Sequence, residues 1–254
     1  MRLPHASYTV GRRMIVVGKK LALQPRLSLI ASCVPKGARL ADIGTDHGYL
    51  PAYLLQNDQI QYAIATDINV EPLEHAKQTA QLYSVTDRMA FRLCSGLDAV
   101  DPEEVDTIVI AGMGGETIID ILSAAPWTLR DKYTIILQPQ TKIELLRSFL
   151  LEHGYTFTAE HLVRDKNKLY VVMVLCFDIP LDIPQNTTQV DWWSGIGLRH
   201  DPLYGEYLDI QISRLKQKDQ GIRRSGATSE ANQSTYLLKI LVEKKKEWEN
   251  EQSI

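Results

Sequence analysis

The chain has 254 residues, 44% of them hydrophobic and 23% charged, with a formal net charge of −3. That composition supports a sizeable globular core and excludes a disordered chain, and the length admits one large domain or one domain with an appendage. The near-neutral charge excludes a wholesale basic nucleic-acid binder, but not a local basic patch.

Residues 1–20 carry Arg2, Arg12, Arg13, Lys19 and Lys20 with no sustained apolar stretch between them. They read as a weakly structured leader rather than a signal peptide, with Met14 as an alternative start. Leu21, Leu23, Leu27, Leu29 and Ile30 predict a short helix ending near Pro35-Lys36-Gly37. Ala38–Ile43 is an apolar run bounded by turn residues and reads as a buried strand. A helix over 48–57, a strand over 62–66, a helix over 71–83 and a strand over 89–94 follow. A fourth strand is expected over 105–110, a helix over 116–124 stopping at Pro126, a fifth strand over 133–137 and a helix over 142–151. Strands alternating with helices at this spacing imply a parallel, doubly wound α/β sheet. Runs 155–163 and 169–177, split by the polar turn Arg164–Lys168, predict a hairpin that makes the seventh strand antiparallel. A Pro- and Asn-containing linker is expected over 178–190. Beyond it, 201–218 and 229–249 carry apolar residues at helical spacing around Arg223-Arg224-Ser225-Gly226, which predicts a C-terminal α-helical, coiled-coil-like hairpin as a separate appendage. The expected division is a 1–20 leader, a 21–180 nucleotide-binding Rossmann-like domain and a 185–254 hairpin.

Cys33, Cys94 and Cys176 are few, odd in number and far apart, with no Cys-x-x-Cys or Cys/His cluster. Neither a disulfide framework nor a metal site is expected, and a reducing cytoplasmic setting fits better. No run approaches the roughly 18 apolar residues of a membrane span, so no membrane partner is expected.

The loop Asp42-Ile43-Gly44-Thr45-Asp46-His47-Gly48-Tyr49 lies between the first strand and first helix, at the carboxyl edge of the sheet where open α/β folds bind ligands. Gly44 permits a tight turn. Asp46 stands where a dinucleotide-binding loop has its second glycine. A carboxylate there repels a pyrophosphate and attracts a cation, such as the α-amino group of a methionine moiety. That argues for S-adenosylmethionine over NAD; the plainer reading is a turn with a capping Asp. Asp67 ends the second strand about 20 residues past the glycine loop, where an acid accepts both ribose hydroxyls. Asn69 is the better cap for the helix that follows. Backbone groups of Cys94-Ser95-Gly96-Leu97-Asp98 can read an adenine edge, or form a plain loop.

Gly112-Met113-Gly114-Gly115 closes the fourth strand, as an anion nest, a floor for a flat ring or a structural turn. Gln138-Pro139-Gln140 lines the same expected cleft. In class I methyltransferases, whose final antiparallel strand this pattern resembles, that edge borders the methyl acceptor. An amine-methylating Asn/Asp-Pro-Pro-Tyr tetrapeptide is missing, which favours a ring nitrogen that has its own lone pair.

The segments Ala41–Pro51 (ADIGTDHGYLP), Ala65–Asn69 (ATDIN), Ile110–Glu116 (IAGMGGE) and Leu137–Gln140 (LQPQ) together resemble the bacterial tRNA (adenine-22-N1)-methyltransferase family, TrmK. The likeness covers roughly residues 21–250, and the helical hairpin resembles that family's coiled-coil domain. It implies a class I Rossmann-like seven-stranded sheet and methyl transfer from S-adenosylmethionine to N1 of a tRNA adenosine. Gly44, Asp46 and His47 would surround the methionine portion. Asp67 and Ile68 would hold the ribose, Gly96 and Leu97 would border the adenine, and Gly112 and Met113 would floor the cleft. Asp46, His47 and Tyr49 are the candidate catalytic residues. Gly114, Gly115, Gln138, Arg199, Arg223 and Arg224 are the candidate substrate contacts. Arg214, Lys216, Lys239 and Lys244–Lys246 are further cations for tRNA. The expected assembly is a monomer or weak dimer. Two rival readings remain: a methyltransferase for a small molecule or protein, and a cofactor-binding RNA-interaction protein without turnover. Asp42, Gly44 and Asp67 sustain cofactor capture in either case.

Overall fold

A computed structural model describes residues 20–177, 188–225 and 228–253. The leader and most of the expected linker lie outside the described residues, as does the Gly226 break. Seven strands, β1 (Ala38–Ile43), β2 (Ile60–Asp67), β3 (Met89–Leu93), β4 (Thr107–Gly114), β5 (Thr134–Thr141), β6 (Tyr155–Asp165) and β7 (Lys168–Phe177), form one sheet in the order β3-β2-β1-β4-β5-β7-β6. Strands β1 to β5 pair in parallel. β7 inserts antiparallel between β5 and β6, as the polar turn predicts.

Both faces of the sheet are buried because successive strand residues point to opposite layers. Ile108 and Ile110 of β4 face the layer of α4 (Gly115–Ala124) and α5 (Ile143–Glu152). Val109 faces the layer of α1 (Pro25–Cys33), α2 (Tyr49–Gln56) and α3 (Val70–Leu82). The first helix starts at Pro25 rather than Leu21, since proline suits a helix's first turn. Two strands run further than expected. β4 continues through Gly114 and β5 through Thr141, because a bulge at Gly112 (φ +83°) lets the pairing resume from Met113 to Pro139. Gln138 and Pro139 are therefore strand residues, not a following loop.

The expected linker conceals a short helix, α6 (Gln189–Ser194), whose Thr188 and Asp191 form a reciprocal capping box. α7 (Tyr204–Ser225) and α8 (Thr228–Gln252) make the expected hairpin, and Arg223 and Arg224 lie within α7 rather than breaking it. An ideal Cβ on Gly205 would fall 2.4 Å from the Trp248 ring, so the missing side chain lets the two helices close.

The expected separate appendage instead shares an apolar cluster with the sheet, through Tyr204, Leu208, Leu215, Leu237 and Leu241. A polar lock crosses the same junction. Arg147 of α5 and Glu160 of β6 are both fully buried, with Nε to Oε1 at 2.8 Å. Arg147 Nη1 donates to the Trp192 carbonyl (2.7 Å) and to the Tyr207 hydroxyl (2.8 Å). Glu160 Oε2 accepts from the backbone N–H of Ile196 (2.6 Å) and Gly197 (3.0 Å). Among the described residues no helix is long and apolar enough to cross a membrane.

Glu160→Ala leaves a buried guanidinium without its counter-charge and two backbone donors unpaired. The expected loss is about 3–5 kcal/mol in urea unfolding. The double substitution Arg147→Leu/Glu160→Leu should lose less than Glu160→Ala alone; a double variant that is less stable contradicts this account of the lock.

Candidate active site

The carboxyl ends of β1, β2 and β3 are stitched together by backbone bonds. The N–H groups of Gly44 and Thr45 both donate to the Thr66 carbonyl at 2.9 Å, and the Cys94 N–H donates to the Asp67 carbonyl at 3.0 Å. Thr66 Oγ1 donates to the Gly96 carbonyl at 3.2 Å. These bonds fix three successive loops around one hollow.

Gly44 has φ +69°, and an ideal Cβ on it would stand 2.2 Å from the Met113 methyl. Both observations require glycine, by backbone conformation and by space. Met113 thus lies against the loop, and two cavities open beside this contact. One, of about 330 Å³, is lined by Gly44, Asp67, Ile68, Gly96, Leu97 and Met113, among others. The second, of about 270 Å³, is lined by Asp42, Gly44, Asp46, His47, Tyr49 and Gly112. Most of the expected cofactor residues therefore converge on one site.

Asp42 is buried and accepts the Thr45 hydroxyl at 2.6 Å. Burial pushes its carboxyl up to about 6, the Thr45 bond pulls it part of the way back, and neighbouring Asp67 pushes it up again. The Asp67 side chain is nearly buried and accepts the Asn69 N–H at 2.9 Å. Asp46 has φ +52°, a left-handed conformation that Asp tolerates better than most residues. Its side chain is 73% exposed and reaches within 3.7 Å of His47 Nε2. The His47 ring stacks between Tyr49 (centroids 5.3 Å apart) and His75 of α3 (4.8 Å). His75, which belongs to none of the sequence motifs, thereby joins the site. The stack forms because Gly48, with φ +64°, lets the loop press onto Ala76, where a Cβ would stand 2.9 Å away.

At the far rim of the first cavity, Gly96 (φ +51°) brings its loop against Ile121 of α4, and Ser95 is exposed beside it. Thr117, Asp120 and Ile121 also line this cavity; nothing in the sequence motifs pointed to them. Arg26 of α1 is likewise new. Its Nη1 donates to Gln138 Oε1 at 2.6 Å, beside Gly112 and Tyr170.

Several expected substrate contacts are repositioned. Gln138 is fully buried, its amide occupied by Arg26 and by the Pro139 carbonyl, so its neighbour Gln140 lines the cleft in its place. Gly115 is buried in the first turn of α4, where a Cβ would meet the Lys142 carbonyl at 2.5 Å. Its role is helix packing rather than contact with an acceptor. Gly114 stays partly accessible, with the Thr141 hydroxyl 3.2 Å from an ideal Cβ. Arg199, in the turn before α7, is paired with Glu251 of α8, and Arg223 of α7 with Asp219 at 2.7 Å, both outside the two cavities. Arg224 is exposed beside Arg223.

A family model described as a methyltransferase domain matches residues 23–173. The chain is 36% identical over 155 residues to the tRNA (adenine(22)-N(1))-methyltransferase of Bacillus subtilis, a match covering 61% of this chain and 65% of that protein, less than two thirds of the relative's length. The crystal structure of the B. subtilis m1A22 tRNA methyltransferase TrmK is similar with a TM-score of 0.77 and 28% identity, covering 90% of this chain and 99% of that one. A Streptococcus pneumoniae chain solved in complex with S-adenosyl-L-methionine is similar with a TM-score of 0.73 and 29% identity, covering 86% and 97% of the two chains.

A raised carboxyl binds its proton more tightly when folded than when unfolded. Stability from protonated Asp42 is therefore present below about pH 4 and lost as pH rises to about 6. The stability difference between wild type and Asp42→Asn should shift against wild type across that window and level off above it, read as the thermal midpoint against pH. A difference constant from pH 4 to 7 contradicts the raised carboxyl.

Proposed function

The chain belongs to the tRNA (adenine-22-N1)-methyltransferase family, TrmK, and on that footing we propose that it transfers a methyl group from S-adenosylmethionine to N1 of an adenosine in tRNA. The observation that carries this reading is the pair of cavities that share Gly44, against which Met113 packs, with Asp67 in one and Asp42 and Asp46 in the other. An acid at the end of β2 suits a ribose diol. The two carboxylates across Met113 suit a cationic amino-acid end, and they disfavour the pyrophosphate of a dinucleotide. The donor set therefore fits the cofactor.

S-adenosylmethionine, when bound, supplies a methyl carried on a positively charged sulfur. The protein's share is binding, alignment and exclusion of water. Asp67 and Ile68 hold the ribose, Ser95, Gly96 and Leu97 frame the adenine, and Asp42, Asp46 and His47 surround the methionine end. Gly112, Met113 and Gly114 form the floor on which a flat base approaches. Adenine N1 has its own lone pair, so alignment can supply much of the acceleration. N1 is also hidden by pairing or stacking in folded RNA and must be exposed first. The stacked rings of Tyr49, His47 and His75 offer an aromatic surface for the exposed base. Methylated adenine is cationic, and Asp46, exposed at the mouth, is placed to offset that charge. The matched family favours tRNA over a small-molecule or protein acceptor.

The test is incubation with labelled S-adenosylmethionine and an unmodified tRNA transcript, followed by nucleoside analysis. N1-methyladenosine is expected, and Asp46→Ala should abolish it. Full activity in that variant, or methyl groups elsewhere than N1 of adenosine, refutes the reading. Cofactor affinity should also weaken as pH falls below about 6, since a cation prefers ionised Asp42; Asp42→Asn should lose this dependence in titration calorimetry.

A further inference from the structure

The cavity at the methionine end does not stop at Gly112. It shares Gln140 with a third hollow of about 300 Å³, which runs between β7 and α7 past Lys168, Tyr170 and Arg214. The two form a groove that leads away from the acceptor edge of the sheet.

The charges along this groove are uneven. Asp42 and Asp46 sit at its methionine end, where a cationic ligand group is expected. Further along, the only carboxylate among the described lining residues is Glu206, and Arg164 already neutralises it. Arg26, Lys168 and Arg214 have no ion-pair partner among the described residues. Arg26 is half-buried, held by a neutral amide and lying 5.6 Å from the centre of the Tyr170 ring. Lys168 and Arg214 are exposed on the two walls, one on β7 and one on α7. Much of the hairpin's positive charge is, by contrast, paired. Besides Arg199 and Arg223, Lys244 meets Asp191 and Lys245 meets Asp209. A cation without a counter-ion binds a phosphate without first giving up a partner, and releases condensed counter-ions from the nucleic acid.

We propose that this groove holds the sugar–phosphate backbone flanking the target adenosine, with Arg26, Lys168 and Arg214 as its phosphate contacts. The inference rests on the tRNA reading above and adds where the substrate strand runs. Tyr170, with the guanidinium of Arg26 beside it, offers a stacking face for a neighbouring base. The groove selects a single strand because its walls are a hairpin turn and one helix face, and it is entered at the acceptor floor.

The test compares wild type with Lys168→Gln/Arg214→Gln, both exposed positions, using an unmodified tRNA transcript over a salt series. The KM for tRNA should rise at least tenfold while kcat at saturating tRNA and the affinity for S-adenosylhomocysteine are kept. The slope of log affinity against log salt should shrink by about 1.4, at about 0.7 per phosphate contact on a single strand. Lys132→Gln, which removes a charge paired with Glu103 near the start of β5, serves as the control and should leave the slope unchanged. If wild type methylates tRNA and the double variant keeps both its KM and its salt slope, the groove is not the strand's path. If wild type leaves tRNA unmethylated under the same conditions, the underlying tRNA reading fails first and the groove falls with it.

Discussion

The buried ion pair between Arg147 and Glu160 is the junction through which the sheet and the helical hairpin become one body. Two charges taken out of water carry a desolvation cost of several kcal/mol each. The structure offsets it by giving Arg147 a carboxylate, a carbonyl and a hydroxyl, and by giving Glu160 two backbone N–H groups besides the guanidinium. One guanidinium nitrogen, Nη2, is buried with no partner, so the compensation is incomplete. Apolar residues of similar volume would serve stability as well; polar groups in this position also fix orientation, because only one placement of α6 and α7 satisfies them. That placement sets α7 beside β7, where the two line one hollow.

The cleft itself depends on a different constraint, backbone conformation at the ends of the parallel strands. Gly44, Gly48, Gly96 and Gly112 all have positive φ, and each lies on a loop or bulge that lines the site or presses it into shape. Gly44 and Gly48 also sit where any side chain would collide with Met113 or Ala76. The spacing of turn residues in the motifs is thus a record of where the chain must turn sharply while packed against its neighbours. The carboxylates then sort themselves by depth. Asp42 is buried and holds its proton unusually tightly, whereas Asp46, four residues on, stands out in solvent. Two acids in one loop thereby meet different surroundings, one enclosed and one in water.

Charge on the hairpin follows a similar division. Its sequence is rich in Lys and Arg, which taken alone suggests an RNA-binding face. In three dimensions Arg199, Arg223, Lys244 and Lys245 face carboxylates of the same chain. Exposed pairs of this kind contribute little to stability, of order 0–1 kcal/mol. They nevertheless lower the field a phosphate would meet. Arg26, Lys168 and Arg214, by contrast, lie along the groove with no ion-pair partner among the described residues.

Local rules made the strand–helix alternation, the antiparallel seventh strand and the glycine–acid loops legible from the amino-acid order, because period, turn chemistry and strand-end position are properties of short segments. The capping box of α6 was equally local, in Thr188 and Asp191, but the Pro- and Asn-containing stretch before it masked the signal. What no segment contains is its partner. Gln138 was read as a cleft residue until the bulge at Gly112 extended β4 and β5 and turned its side chain inward. Gly115 looked like part of a ligand loop, yet it is the neighbouring backbone of Lys142 that requires glycine there. Arg26, His75 and Arg147 carried no motif, since each derives its role from a residue at least 13 positions away: Gln138, His47 and Glu160 respectively. The glycines and acids of the first loop were legible from residue type and spacing. Which cations remain free, which amides are consumed and how the hairpin is seated were settled by long-range contacts, whose energies depend on burial and geometry that sequence spacing does not encode.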